Sequence, residues 1–375
     1  MLSNTEILRY SRHLLLPEIG IDGQELIKNS KVLIVGAGGT GSAAAMYLAS
    51  SGVGEIGLID FDRVDLSNLQ RQIIHSTNDV GRKKVESAHD TITGLNPDIE
   101  VKTYDVRLSN SNAIDILSEY DIIADCSDNF PANYLINDAS VLLGKPDVYG
   151  SVFRFEGKVT VFDSGRGPCY RCLYEVPPPP EMIPNCEEGG VLSILPGIIG
   201  TLQALEIIKL IIKKGELLTG RVLLFDALQM KFNEIKLEKN PDCIICGENP
   251  VIHELIDYDQ FCGSEKHEIK ESDEITPDEL KQKTNNSENI FILDIRNQQE
   301  YKIVNIGGYC IPLDQLTKRL SELDPSREIV VCCKTGRRSK IAVKLLKEKG
   351  FNNVKNLKGG IIAWIELIDN TLPGY

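Results

Sequence analysis

The sequence predicts an α/β protein with two domains in tandem. Three observations carry this. Residues 31–35 (KVLIV) form an apolar run ending in a glycine-rich turn, small residues follow in a helix-like pattern, and residues 55–60 (EIGLID) read as a second strand. That is a βαβ opening, as in a parallel sheet covered by helices. The chain has 375 residues, long for one compact core. After the polar stretch 263–274 (GSEKHEIKESDE) a new alternation of strands and helices begins.

Taken in order, further strands are expected at 121–125, 146–152, 158–162 and 222–226, the last two as an antiparallel extension. Residues 174–190 (YEVPPPPEMIPNCEEGG) are rich in proline and glycine and predict a long crossing loop. The longest apolar stretch, Ile194 to Ile212, carries Gln203, Glu206 and Lys209, and reads as a buried or amphipathic helix, not a membrane span. The expected boundaries are 1–250 for the first domain, 251–273 for a linker and 274–375 for the second. The second domain should run helix (PDELKQK), strand (FILDI), strand end at Ile311, strand (EIVVCC), helix (SKIAVKLLKEKG) and helix (GGIIAWIELID).

The formal charge of -13 argues against a nucleic-acid surface, which needs a basic stripe. The N-terminus, MLSNTEILRYSRHLLL, has no basic segment leading a sustained apolar run, so a soluble, cytoplasmic protein is expected, with no membrane partner. The ten cysteines are then more apt for metal or chemistry than for a disulfide framework.

Gly36, Gly38 and Gly41 spell G-x-G-x-x-G between strand and helix. Glycines there let phosphate oxygens reach backbone N–H groups at a positive helix end. Asp60, ending the next strand, is placed for a ribose hydroxyl. This much suits an NAD-dependent oxidoreductase equally well. The following segment, DFDRVDLSNLQRQIIH, adds Asp62, Asn68 and Arg71, then Arg82, Lys83 and Lys84, with Asp128 and Asn129 in DCSDNF. Cations beside a phosphate site and an acid able to hold Mg²⁺ favour a triphosphate.

The run IVGAGGTGS…GVGEIGLIDFDRVDLSNLQRQIIHSTNDVGRKKVESA…DCSDNFPANYLIND resembles the ubiquitin-activating-enzyme-like superfamily, and within it the MoeB/ThiF group, over residues 5 to 250. The resemblance implies a Rossmann-like domain binding ATP and Mg²⁺. Gly39 would lie against the nucleotide, Asp60 would hold the ribose, and Asn68 and Arg71 would contact phosphates. Lys84 would neutralise them, Asp128 would bind Mg²⁺ with Asn129 beside it, and Asp62 and Ser67 belong to the same site. Arg12 in RYSRHLLL matches an arginine inserted into a neighbouring subunit's site, which implies a homodimer. Arg82 and Lys83 read as solvated surface.

Cys169, Cys172, Cys243 and Cys246 form C-x2-C…C-x2-C. Four thiolates suit a closed tetrahedral Zn²⁺ site that would pin the crossing loop to the end of the domain. A redox pair is the alternative, but it needs only one C-x-x-C. Cys126 reads as core, and Cys262 and Cys310 have no evident role.

Residues 331–339 (VCCKTGRRS) place Cys333 between a strand and a helix start, where successive N–H groups stabilise a thiolate. The spacing C-x4-R to Arg338 also fits a phosphatase-type loop, but no general acid is evident. LDIRNQQEY (Asp294, Arg296, Glu300, Tyr301), CKTGRRS and LKGGIIAW (Gly359, Gly360, Trp364) resemble a rhodanese domain over 274 to 375. The usual Gly-His-Ile segment appears here as VNIGGYCIPL, without histidine.

Together the resemblances imply an adenylyltransferase fused to a sulfurtransferase. ATP would activate the Gly-Gly tail of a small ubiquitin-like sulfur carrier, and a Cys333 persulfide, loaded by a cysteine desulfurase or other donor, would supply sulfur. Cys186, in the crossing loop, matches a cysteine that acts as acceptor or resolving thiol in relatives with both domains. The remaining alternatives are a regulatory second domain, an NAD oxidoreductase and a non-enzymatic carrier-binding scaffold.

Overall fold

The computed structural model describes residues 1–178, 189–262 and 270–374. The chain divides into two compact units, Met1–Ser264 and Glu265–Tyr375.

The first unit holds an eight-stranded sheet: β1 (Lys31–Val35), β2 (Glu55–Ile59), β3 (Glu100–Tyr104), β4 (Ile122–Asp125), β5 (Asp147–Phe153), β6 (Glu156–Phe162), β7 (Arg221–Asp226) and β8 (Lys231–Lys236). Their spatial order is β3-β2-β1-β4-β5-β6-β7-β8. The first five in that order pair in parallel, with Lys31 opposite Glu55 and Val32 opposite Ile122, and β5 through β8 pair antiparallel. β1 and β2 are near-continuous apolar runs because both faces of the sheet are covered. One face buries Val32, Ile34 and Leu48 with Ile199 and Ile207; the other buries Leu33, Val35 and Ile59 with Tyr134 and Tyr170. The chain leaves β1 toward β2 and later returns to β4 on β1's other side. That reversal opens a crevice at the strand ends, where nucleotides bind in such sheets.

The apolar stretch Ile194–Ile212 forms one helix. By length and composition it could cross a membrane, but it packs on the helix Gly39–Ser51, with its polar residues satisfied inside the protein. Gln203 donates to the carbonyls of Asp125 (2.8 Å) and Val148 (2.9 Å), and Glu206 accepts from Leu218 N–H (2.9 Å).

The second unit has a parallel sheet of five strands: β9 (Glu274–Ile275), β10 (Ile290–Asp294), β11 (Tyr309–Cys310), β12 (Glu328–Cys332) and β13 (Val354–Leu357), in the order β11-β10-β12-β13-β9. Its apolar side chains again form a cluster on each face.

Several elements depart from expectation. β3, β8, β9 and β13 were not anticipated; every residue of β8 is exposed, so no alternation marks it. Residues 255–262, expected as linker, instead pack on the first unit. Leu255, Ile256, Tyr258 and Phe261 give that stretch an apolar face, and Tyr258 Oη donates to Asp138 (2.8 Å).

Candidate functional site

The nucleotide-binding turn runs from Gly36 to Gly41, between β1 and the helix Gly39–Ser51. Gly36 has φ +99°, and a Cβ there would lie 2.8 Å from the Cys126 carbonyl oxygen; a Cβ on Gly41 would lie 1.9 Å from the Gly36 carbonyl oxygen. Only glycine fits either position, so the turn is drawn tight and its backbone is bare. Gly39 faces Pro196 at the start of the long helix, and Gly38 lies near the Gln72 side chain.

Asp60 braces this turn. Its Oδ2 accepts from Ala37 N–H and its Oδ1 from Asp62 N–H, both at 2.9 Å. Burial raises its carboxyl above the ordinary value, against the opposing pull of Lys84. Lys84, itself buried, reaches Asp62 at 2.9 Å from the first position of the helix Lys84–Leu95. Asp60, Asp62 and Lys84 are thus brought together at the turn. Arg82 and Lys83 instead pair at the surface, with Asp79 and Asp90 and with Asp105 and Glu86.

Ser67 and Asn68 belong to a short 3-10 helix capped by Asp65, whose N–H donates to Asn68 Oδ1 (3.1 Å). Arg71 follows and donates to the Ser67 carbonyl (3.1 Å). Asp128 is exposed beyond β4, with Asn129 Nδ2 at 3.4 Å; Asn129 Oδ1 also caps the next helix through Ala132 N–H (3.0 Å). Beneath them Asp125, fully buried, accepts from Ser127 N–H, Ser127 Oγ and Asn133 Nδ2, which sets the shape of the DCSDN segment. Arg12 is exposed on the helix Ser11–Leu14 and makes no hydrogen bond or ion pair among the described residues.

The sulfurs of Cys169, Cys172, Cys243 and Cys246 lie within 4.8 Å of one another. Adjacent separations include 3.7 Å (Cys169–Cys243) and 3.5 Å (Cys172–Cys246). A tetrahedral Zn²⁺ with bonds of about 2.3 Å requires edges of roughly 3.8 Å, so the cluster fits a closed four-thiolate site. The two residues inside the first pair anchor it. Tyr170 is buried among four other aromatic rings, and Arg171 is fully buried against Asp138 through two bonds of 2.8 Å. Cys186 lies outside the described residues.

In the second unit Cys333 follows β12 and precedes the helix Arg337–Glu348. Its Sγ accepts from Gly336 N–H (3.2 Å) and Ser339 N–H (3.4 Å), and lies 3.3 Å from Ser339 Oγ. A Cβ on Gly360 would sit 2.4 Å from the Cys333 carbonyl oxygen, so the LKGG turn closes directly on the cysteine loop. Arg338 is held by Glu300 through bonds of 3.0 and 2.7 Å. Cys332, on the other face, is fully buried and its thiol is pushed well up by desolvation. The structure thus distinguishes the adjacent cysteines: Cys333 has the cradle, Cys332 is core.

Sequence reasoning passed over His75 and Ser87. His75 is buried, with Nε2 3.2 Å from the Ala37 carbonyl and Nδ1 2.9 Å from Ser87 Oγ. A lone histidine on an irregular segment carried no periodic signal.

A nucleotide turn with a lysine–aspartate pair, and a separate thiol held by backbone donors, define a two-site transferase. The chain belongs to the ThiF family, which matches residues 10–245, and carries a rhodanese-like domain at residues 276–367. It is 46% identical to the "Probable adenylyltransferase/sulfurtransferase MoeZ" of Mycobacterium tuberculosis, over 100% of this chain and 96% of that protein. It is 41% identical to "Adenylyltransferase and sulfurtransferase MOCS3" of Culex quinquefasciatus, over 100% and 90%. It is an enzyme of this kind. Among solved structures, E. coli MccB crystallised with ATP matches with a TM-score of 0.58 and 25% identity, over 65% of this chain and 75% of that one.

Proposed function

We propose that the first unit uses ATP to adenylylate the C-terminal glycine of a small ubiquitin-like sulfur carrier, and that Cys333 then supplies sulfur to form a thiocarboxylate. The observation that supports this most is the pairing, on one chain, of the Asp60–Asp62–Lys84 turn with the Cys333 cradle. Pathways served by such a product include molybdenum cofactor, thiamine and tRNA thiolation.

In the first step a carrier carboxylate oxygen attacks the α-phosphorus and pyrophosphate leaves. N–H groups of the glycine turn, Asn68, Arg71 and Lys84 would hold the phosphates, and Asp60 the ribose; their work is positioning and charge stabilisation. Lys84 would turn from Asp62 to the phosphates when ATP enters. Mg²⁺, held by Asp128, would neutralise the leaving pyrophosphate. Zn²⁺ would fill the four-cysteine cluster as a structural ion. Arg12 would complete the partner's site in a homodimer.

In the second step the outer sulfur of a Cys333 persulfide attacks the acyl carbon and AMP leaves. Cys333 is 1% exposed, so the persulfide's extra bond of about 2.05 Å matters: it brings the reacting sulfur outward from the cradle. A thiol must then cleave the acyl disulfide; Cys186 would form a disulfide with Cys333, releasing the thiocarboxylate, and an external thiol would reset the pair. A cysteine desulfurase is the expected persulfide donor.

The test is carrier-dependent exchange of labelled pyrophosphate into ATP, with candidate carriers ending in Gly-Gly. Exchange with one carrier, lost in Asp128→Ala, is the expected result. No exchange with any carrier would overturn the reading. Unchanged multiple-turnover sulfur transfer in Cys186→Ala would remove Cys186 from the scheme.

A further inference from the structure

We infer that His75 is a positioning residue for the nucleotide-binding turn: its Nε2–H holds the Ala37 carbonyl and so aims the Gly38 N–H at the phosphates. This rests on the first unit being an ATP site, and goes beyond it by naming what fixes the turn's dipoles.

The geometry begins with Ala37, the residue between the first two glycines. Its N–H is held by Asp60 Oδ2 at 2.9 Å, and its carbonyl by His75 Nε2 at 3.2 Å. A carbonyl can only accept, so Nε2 carries the proton. In the neutral ring Nδ1 is then an acceptor, and Ser87 Oγ, 2.9 Å away, can donate to it, with the Asp79 carboxylate as the competing acceptor of the same proton. The Ala37 carbonyl therefore sets the tautomer. Burial, the largest influence, favours the neutral ring and the nearby Lys84 charge acts in the same direction, while the Ala37 carbonyl and the Asp79 carboxylate pull the other way and only partly offset it.

The consequence follows from peptide planarity. No peptide bond in the described chain is cis, so each carbonyl points opposite to the N–H that follows it. Drawing the Ala37 carbonyl toward His75 turns the Gly38 N–H away from it. Drawing the Ala37 N–H toward Asp60 likewise turns the Gly36 carbonyl away. Both peptides flanking Ala37 are thus oriented by side chains, between Gly36, whose N–H is held by the Ile59 carbonyl, and Gly38, whose carbonyl accepts from Ser42 N–H. Ser87 lies one turn beyond Lys84 on the same helix. The His75–Ser87 contact therefore also fixes the turn relative to the element that carries Lys84.

Binding of Mg·ATP to the full-length chain tests this, by calorimetry in His75→Ala, His75→Gln and Ser87→Ala. A glutamine amide can reproduce the Nε2 donor. His75→Ala is expected to weaken binding about fivefold to tenfold, the loss of one hydrogen bond that orients a dipole. His75→Gln should stay within about twofold of the parent, and Ser87→Ala should fall between the two. KM for ATP in pyrophosphate exchange should rise with little change in kcat. Unchanged binding in His75→Ala would overturn the inference, as would a His75→Gln defect as large as that of His75→Ala. If His75→Ala does not fold, the other two decide: retained binding in His75→Gln with weakened binding in Ser87→Ala supports the role, and any other pairing overturns it. Failure of the parent itself to bind Mg·ATP would instead remove the nucleotide reading on which this rests.

Discussion

Both units place a tight turn between a parallel strand and the start of a helix, yet the two turns are filled differently. At Gly36–Gly41 four of the six residues are glycine, and the polar groups nearby hold the turn's backbone: Asp60 on one peptide, His75 on the next. At Cys333–Arg337 the turn converges on an atom of its own, with the sulfur accepting from Gly336 and Ser339. The first arrangement suits a ligand that arrives and departs, because its donors are left for something outside the chain. The second suits a group carried covalently, because the donors already surround the atom that bears it. One strand–turn–helix plan would therefore serve, on the proposed reading, a diffusing phosphate and a tethered sulfur, and the difference lies in whether a side chain occupies the centre.

The largest expected effect separates the two. Cys333→Ala should abolish sulfur transfer, a loss on the order of a thousandfold or more, because the nucleophile itself is gone. Pyrophosphate exchange should stay within about twofold of the parent. If sulfur transfer persists, the second unit is a docking or regulatory module. The reciprocal change is Gly41→Ala. Its new Cβ would lie 1.9 Å from the Gly36 carbonyl oxygen, so the turn must open. Exchange should fall roughly a hundredfold, the order that a misplaced positioning group costs, and persulfide loading of Cys333 should be unaffected.

A third change acts on stability. Cys243→Ser should remove the zinc proposed for the four-cysteine cluster, read by metal analysis, and lower the unfolding midpoint of the first unit by several degrees. It should not unfold the unit outright, because Tyr170 and Arg171 anchor the same knuckle independently of any metal. Loss of all cooperative unfolding would show that the ion, not these anchors, holds the segment. A fourth tests the sulfur cradle. Ser339 Oγ lies 2.5 Å from Asn356 Oδ1 and 3.3 Å from Cys333 Sγ, and has one proton to give. Ser339→Ala removes a donor that can turn to the sulfur once it is anionic, and should slow sulfur transfer about tenfold. No change in rate would mean the hydroxyl stays on Asn356 throughout.

How much of this could be read in advance depends on whether a signal is local. The glycine turn, the two C-x2-C pairs and the Cys333 loop are contiguous patterns, and each was legible with its neighbours. Lys84 and Asp62 were each legible as site residues, but not their pairing, 22 residues apart across a loop. β8 was missed because an edge strand exposed on both sides needs no alternation. The packed stretch 255–262 was missed because its partners, Asp138 and Arg171, come from distant elements. His75 is the clearest case: its role depends on a backbone carbonyl, and a carbonyl leaves no mark on the sequence.

The smallest effect concerns the carboxylates beside the two turns, which are shifted in opposite directions. Burial raises Asp60, and nothing there fully offsets it. Burial, the largest influence, also opposes ionisation of Glu300, but Arg338, the Asn297 N–H and the Arg296 charge together outweigh it and hold Glu300 below its ordinary value of 4.5. Folded-state values on opposite sides of the unfolded ones give opposite pH dependences. Glu300 contributes stability that is fully present above its unfolded value and is lost as pH falls through its folded value. Asp60 is the reverse: its ionised form is disfavoured by folding, and acid relieves that penalty. The single tryptophan, Trp364, is buried in the second unit, so its fluorescence follows that unit within the intact chain. Between pH 7 and pH 3 the Trp364 transition should move to lower temperature, and Glu300→Gln should flatten that slope while starting a few degrees lower. Asp60→Asn should leave the Trp364 transition where it is. An unchanged slope in Glu300→Gln would mean that the Arg338 pair adds nothing to the acid sensitivity of the sulfur site, and that the two turns differ in their filling alone.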